Sequence, residues 1–593
     1  MKKQILTIGF VAFATATNIL GTAVASFAQV SANEWVPCQE MPALIQRFNA
    51  DSRVLNRYYS PALNNARGGG ADWSIGSPEK NERLQKLIKD YQAQLTAINF
   101  KNLSQECKAD YILFKRDLAS RLEQLQLDVA NLQKVKQWIG FTDKIYALEQ
   151  VRRRGGQPDA KGVAKEWNDI VSEVKQLQDQ LKKVNSIDPD EVAAATAAIT
   201  NARNAVQSIF EFYNGYDPLF SWWVPVTQKS LDESLNAYAN AFKAKANSSL
   251  SASDKSGIVG VQAGRESLIR QLKHEMIPYT PEELIEIANK EFAWCEAEML
   301  KASKEMGFGN DWKAALEKVK NTYVPEGKQP ELILRLYNES IDFLKKNQLI
   351  TIPPLAEETW GMMMMTPERQ LVAPFFLGGA DILISYPTNT MTYPDKMMSM
   401  RGNNPHFSKA VVHHELIAGH NLQQFVNQRN RTYRNFGTPF WSEGWALYWE
   451  LILWDMQFAK TPEDRIGMLF WHMHRCARII FSLNYHTSKW TPQQCIDFLV
   501  DKVGHERANA EGEVRRSFTG GYPPLYQLAY LTGGRQFYAL KKELVDTKKM
   551  SYKEFHDQVM KLNAMPVEMV RAILTKQPLT EDFATNWRFY EKQ

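Results

Sequence analysis

Val411-Val412-His413-His414-Glu415-Leu416-Ile417-Ala418-Gly419-His420, with Ser442-Glu443-Gly444-Trp445-Ala446-Leu447-Tyr448-Trp449-Glu450 a short distance downstream, decides how the chain is read. A His-Glu pair, a second histidine and a later glutamate together form the donor set of a catalytic zinc, two imidazoles and a carboxylate with a fourth position open to water. His414, His420 and Glu443 are the expected ligands of one ion, and Glu415 is the expected general base. The spacing departs from His-Glu-x-x-His. Histidines four apart lie about 40° around a helix, whereas His414 and His420, six apart, would lie about 240° around one. The backbone at Ala418-Gly419 must therefore leave regular helix geometry, which glycine permits.

His413 and His420 share a helix face but would sit about 10 Å apart along its axis, too far for one ion with bonds of about 2.1 Å. His413 is expected to pack or to support a ligand from behind. The stretch Asn427 to Pro439 reads as a loop that lets a second helix return with Glu443. Glu450, a heptad further on, could orient a ligand, although a solvent-facing or ion-paired glutamate is the simpler reading of it alone. Trp445, Tyr448 and Trp449 read as packing.

Working outward, 593 residues with 44% hydrophobic content can bury a large core and allow several domains. Lys2 and Lys3, an uncharged run to Asn33 and Ser26-Phe27-Ala28 read as a signal peptide over residues 1–28, so the mature chain is expected to be periplasmic or extracellular. No cysteine follows Ala28 directly, so lipid attachment there is not supported, and no later apolar run is long enough for stable membrane insertion. The net charge of +5, lowered by two with the loss of Lys2 and Lys3, is too small and too dispersed for nucleic acid. Of five cysteines, Cys38 with Cys107 and Cys476 with Cys495 are conceivable disulfide pairs, and one must stay unpaired. Without Cys-x-x-Cys, neither a thiolate zinc site nor a thioredoxin-type motif is supported.

The first half reads as successive helices. Leu84, Leu87, Ile88, Tyr91, Leu95 and Ile98 form one core stripe at three- and four-residue steps, and Tyr111, Leu113, Leu118, Leu122, Leu125 and Leu127 a second, less regular one. Breaks fall at Gly68-Gly69-Gly70, Gly155-Gly156 and Asn247 to Gly257. No histidine precedes His274, so residues 29–275 read as a helical N-terminal scaffold and 276–593 as the metal-binding catalytic region. Helix starts are marked by Thr280-Pro281-Glu282-Glu283, Thr461-Pro462-Glu463-Asp464 and Thr491-Pro492-Gln493-Gln494. Met362 to Met365 reads as core or pocket filling. Between Leu371 and Met391, apolar runs bounded by Gly and Pro read as a small strand element, a hairpin or an edge that could pair with an extended substrate.

His414-Glu415-Leu416-Ile417-Ala418-Gly419-His420-Asn421-Leu422-Gln423 resembles the His-Glu-x-x-Pro-Gly-His-His-Leu-Gln motif of the bacterial family catalogued as domain of unknown function 885. Glu443 to Tyr448 and Pro524 to Gly533 are similar to two further blocks, and His486 and Glu513 to Arg516 fall where the family has a histidine and an acidic-basic segment. The resemblance covers residues 275–593, with the first half following by helical texture. It implies a mainly α fold, a large helical zincin-like body of gluzincin type with a deep groove and a small β element before the metal-binding helix. Ala418 in place of proline and Asn421 in place of the second histidine depart from the motif without removing a ligand.

These readings converge on an exported, zinc-dependent metallopeptidase that hydrolyses short peptides with one zinc ion. Tyr530 and His486 are the candidate donors to a developing oxyanion. Arg516 is a candidate for an anionic substrate end, and Tyr522, in the turn Gly520-Gly521-Tyr522-Pro523-Pro524, a second substrate-binding candidate. A metallohydrolase of non-peptide amides or esters is the alternative within the same chemistry. A degenerate helical peptide-binding protein is the alternative outside it, motivated by the irregular spacing. His274, His406, His472, His474, His505 and His556 read as packing or surface residues.

Overall fold

The computed structural model describes residues 38–59, 76–245, 254–370, 375–519 and 522–590. The expected signal peptide, Gly68-Gly69-Gly70 and part of the Asn247 to Gly257 break lie outside these residues. The fold is mainly helical. Labelling only the helices that build the site, α1 is Pro281–Glu305, α2 Pro405–Glu415, α3 His420–Asn427, α4 Pro439–Asp455, α5 Pro462–His486, α6 Arg507–Phe518 and α7 Tyr526–Lys541. No helix of the described residues is long and apolar enough to cross a membrane.

The helix starts follow their local chemistry. Thr280 and Glu283 form a reciprocal capping box ahead of Pro281, Thr461 accepts the Asp464 N–H at the start of α5, and Thr491 with Gln494 forms a second box. Each satisfies amide groups that a helix N-terminus otherwise leaves without partners. The first core stripe is buried at Ile88, Tyr91 and Leu95. The second is buried through Leu118 and packs half-buried on the same core at Leu122 and Leu125, and it ends at Leu127, which is 41% exposed on the helix Gln105–Lys134.

Buried apolar side chains form two clusters. One gathers residues from Val135 to Phe242, on the helices Ala160–Lys182, Pro189–Tyr213 and Pro225–Lys243 among others. The other joins Cys38 to Leu118 with Ile258 to Phe589, and so draws on both sides of residue 275. Arg434, in the loop between α3 and α4, fastens these portions. Its guanidinium meets Asp110 at 2.7 Å and Glu106 at 2.5 Å, all three groups fully buried. Cys38 and Cys107 form a disulfide, whereas Cys295, Cys476 and Cys495 are free and buried. The second conceivable pair, Cys476 with Cys495, is therefore not formed: Cys476 faces Cys295 and His472 instead.

The strand element is a parallel pair, not the hairpin that was one of its two readings. β1 (Gly361–Met364) and β2 (Asp381–Ile384) pair in parallel, Gly361 opposite Asp381 and Met364 opposite Ile384, and Leu377 makes one antiparallel bridge to Leu383. The methionine run supplies β1; Met365 is buried and Met362 packs half-buried against the core as expected of the run, whereas Met363 and Met364 are about half exposed. Parallel pairing is possible because the intervening segment carries the chain back to the same end.

Within residues 276–593 α1 packs along α5, and α4 along α7. The second contact is unusually close. A Cβ on Gly444 would stand 2.6 Å from the Gly533 Cα, and one on Gly533 would overlap the Phe440 carbonyl oxygen, so the two backbones touch at a glycine pair.

Candidate metal centre

The centre is built where α2 stops and α3 starts. Regular helix ends at Glu415, Leu416 turns to φ −104°, ψ −122°, Gly419 to φ −87°, ψ −131°, and helix resumes at His420. The Ile417–Ala418 peptide is cis. This is the backbone departure that the six-residue spacing requires. It places His414 at the end of one helix and His420 at the beginning of the next, with ring centroids 4.9 Å apart at 85°. Gly419 is needed because a Cβ there would overlap the His414 carbonyl oxygen. The Trp445 indole donates to the Ala418 carbonyl at 3.0 Å, so α4 holds the break in place.

Glu443, in the second turn of α4, completes the cluster. Its Oε2 stands 3.5 Å from His414 Nε2 and 3.2 Å from His420 Nε2, and the three donor atoms lie within 4.8 Å of one another. That Oε2 is buried and makes no hydrogen bond of ordinary geometry. An oxygen and two imidazole nitrogens converging in this way match the donor set for a borderline divalent cation.

The other ring nitrogens are committed. His414 Nδ1 lies 2.7 Å from Glu450 Oε1, which also accepts from Arg475 at 3.2 Å. His420 Nδ1 lies 3.0 Å from Gln423 Oε1, and the Gln423 amide donates onward to the Ser442 carbonyl. With both Nδ1–H groups donating, the Nε2 atoms are the ring nitrogens turned toward the Glu443 oxygen. Glu450 is thus buried and orients His414, while its ion pair to Arg475 satisfies the simpler expectation as well. Burial raises its carboxyl, but Arg475 and His414 outweigh that and hold it down to about 2. Burial likewise raises Glu443, and His420 and His414 bring it well below the usual carboxylate range.

Glu415 lies beside the cluster, its Oε2 accepting the Gly378 backbone N–H at 2.6 Å. Asn421 ties the same loop down, donating to the Gly379 and Ala380 carbonyls at 3.0 Å each. His413 is buried and packs edge-on against Phe458.

From α7, the Tyr526 hydroxyl donates to Glu443 Oε1, and the Tyr530 ring lies parallel to His414 at 6.1 Å. Arg475 and Arg478 stand over the Tyr530 ring at 4.6 and 4.4 Å. Burial, and then the Glu443 charge, push the Tyr530 hydroxyl upward, so it stays protonated and able to donate. Tyr522 stacks on Tyr526 at 4.2 Å, and Arg516 sits 5.4 Å over Tyr522 while pairing with Glu513 at 2.5 Å. Tyr530, Tyr522 and Arg516 therefore join the centre through one aromatic chain. Gly520 and Gly521 of the expected turn lie outside the described residues. His486 is not brought in. Its Nδ1 accepts the Ala263 N–H at 3.2 Å and its ring packs on Tyr485 and Phe518.

Tyr526, Gln423 and Arg475 were not singled out from the sequence. Gln423 is three residues after His420 and Tyr526 four before Tyr530, helical spacings that place each on its neighbour's face. Arg475 has no such local signal.

Two solved structures share the fold. One, titled as a "putative lipoprotein of unknown function" from Shewanella oneidensis, is 18% identical with a TM-score of 0.63, covering 91% of this chain and 100% of that one. The other, a "putative lipoprotein" from Colwellia psychrerythraea, is 14% identical with a TM-score of 0.56, covering 91% and 98%. A comparison with curated proteins returns no match. The family described as "Bacterial protein of unknown function (DUF885)" matches residues 62–574, which carries the likeness well into the first half. With most of its length inside that match, the chain belongs to the DUF885 family.

Proposed function

We propose that the protein is an exported metallohydrolase of zincin type that cleaves short peptides, with one zinc ion held by His414, His420 and Glu443 in a substrate groove. The observation that carries this reading is the convergence of two imidazole nitrogens and a buried carboxylate oxygen, each imidazole fixed from behind, beside a second glutamate. Zinc in such a site supplies a Lewis acid and a water acidified to a pKa of about 7. With the ion bound, Glu415 would be the base that accepts a proton from the attacking water and returns it to the departing amine. The Gly378 N–H holds one oxygen of Glu415 and leaves the other for proton transfer. Tyr530 donates to the developing oxyanion. Tyr526 keeps Glu443 Oε1 occupied so that Oε2 faces the ion, and Arg516 with Tyr522 receives the carboxylate end of a short peptide.

Export is supported by the signal-like residues 1–28, by the Cys38–Cys107 disulfide, which suits an oxidising compartment, and by the lipoprotein titles of the two structural neighbours.

The test is metal analysis of the purified protein joined to hydrolysis assays on short peptides, acylated amino acids and esters, before and after chelation and with Glu415→Gln. Bound zinc, peptide cleavage lost on chelation and recovered with zinc, and an inactive but zinc-loaded Glu415→Gln are expected. Undiminished cleavage by Glu415→Gln, or none by the zinc-loaded wild type, would overturn it. Cleavage of esters alone would move the reading to the non-peptide alternative.

A further inference from the structure

Where α1 packs against α5, these two long helices present a second donor set. α1 contributes Glu291 and Cys295, and α5 contributes His472 and Cys476, each pair four residues apart and so on one face of its helix. Donor atoms of Cys295, His472 and Cys476 lie within 4.8 Å of one another, and all three residues are buried. His472 Nε2 is 3.2 Å from Glu291 Oε2, which also accepts from Arg535. With Nε2–H committed to that carboxylate, Nδ1 is the nitrogen left with a free lone pair, an orientation that carboxylates impose on metal-binding histidines. Sites of this kind are built in helical bundles from facing helices, as here.

We infer that Cys295, Cys476 and Nδ1 of His472 form a second metal site for a divalent, thiol-seeking cation of the zinc class, separate from the His414 centre and independent of the function proposed for it. Charge supports a divalent ion. Glu291 is balanced by Arg535, so two thiolates and one dication leave the buried cluster neutral, whereas a monovalent ion would leave a net negative charge in an apolar interior. Binding breaks two S–H bonds, forms two metal–sulfur bonds and releases two protons to solvent. His472 lines a cavity of about 260 Å³ with Trp294, Trp454, Asp455 and Arg535. Searching for Cys-x-x-Cys misses the set because its thiols lie on different helices, 181 residues apart.

The test is cobalt(II) substitution of the full-length wild-type protein. Thiolate-to-cobalt charge transfer in the near ultraviolet reports sulfur ligands only, and the His414 centre has none. The expected result is a charge-transfer band in the wild type, together with about twice the bound zinc of the Cys295→Ser/Cys476→Ser variant. His414→Ala should lose the other ion and keep the band, whatever happens to hydrolysis. Absence of the band from the wild type, its survival in the double variant, or a Cys295–Cys476 disulfide in the non-reduced peptide map would overturn the inference. The wild-type spectrum decides even if the double variant fails to fold.

Discussion

Glu415 and Gly378 are joined by one short hydrogen bond, the Gly378 N–H to Glu415 Oε2 at 2.6 Å, and a Cβ on Gly378 would meet that same oxygen at 2.6 Å and overlap the Glu415 backbone carbonyl. The loop next to β2 therefore sets where the glutamate points. Gly378→Ala should push Glu415 aside without touching a ligand. Peptide hydrolysis is expected to fall about 100-fold, the usual cost of an ångström-scale misplacement, with zinc content unchanged. Steady-state kinetics with metal analysis checks this, and unchanged kcat would contradict it.

Gly419→Ala attacks the break itself. Its Cβ would overlap the His414 carbonyl oxygen, and no flexible side chain is there to yield. The backbone must shift, at a cost of at least about 3 kcal/mol. A variant that does fold should have lost the approach of His420 to His414, and with it most zinc binding. Denaturant unfolding and chelator competition measure the two effects.

Glu450→Gln keeps the volume behind His414 and removes the charge that holds Nδ1–H and Arg475 together. Zinc affinity is expected to fall about 10- to 100-fold with little change in kcat at saturating zinc. Competition against a fluorescent chelator is the direct measurement. Unaltered affinity would mean that His414 is held by packing alone.

Tyr530→Phe removes a hydroxyl that burial keeps protonated. If it donates in the transition state, kcat should drop about 100- to 1,000-fold while KM for short peptides moves little. A KM effect with constant kcat would assign Tyr530 to substrate binding instead.

The break between α2 and α3 could be read from sequence because a spacing of six cannot be met by an unbroken helix, and glycine sits where the relief must occur. Glu443 was reachable for a similar reason, a loop long enough to return a helix to the two histidines. Glu450 was ambiguous, since heptad spacing places it on the face of Glu443 but says nothing of what packs there. Arg475 and the parallel pairing of Met362 with Ile382 depend on contacts between distant segments, which leave no local period. His486 misled because a histidine near the end of a helix looks the same whether its ring donates to a substrate or, as here, accepts from a backbone amide.

Glu568, in the helix Val567–Leu574, gives a prediction on stability. Burial lifts its carboxyl from 4.5 to about 7, outweighing the hydrogen bond from Thr585 and the charge of Arg571. Folded-state pKa above unfolded means that this group's contribution is complete below about pH 4.5 and is lost as pH rises to 7. Relative to Glu568→Gln, the wild type should lose about 3 kcal/mol over that interval. Urea unfolding of both proteins across the range checks it. Taking the difference cancels the buried histidines, such as His274 and His486, whose lowered values act in the opposite direction.

The touching backbones of Gly444 and Gly533 bear on how this centre withstands sequence change. Glu443 precedes one glycine and Tyr530 stands three residues before the other, so the carboxylate and the hydroxyl are registered by main chain against main chain. Side chains elsewhere in the core can be exchanged, and their rotamers can adjust, without opening a gap between the two helices at this point. The crossing works as a fixed pivot that insulates the chemistry from drift in the surrounding bundle.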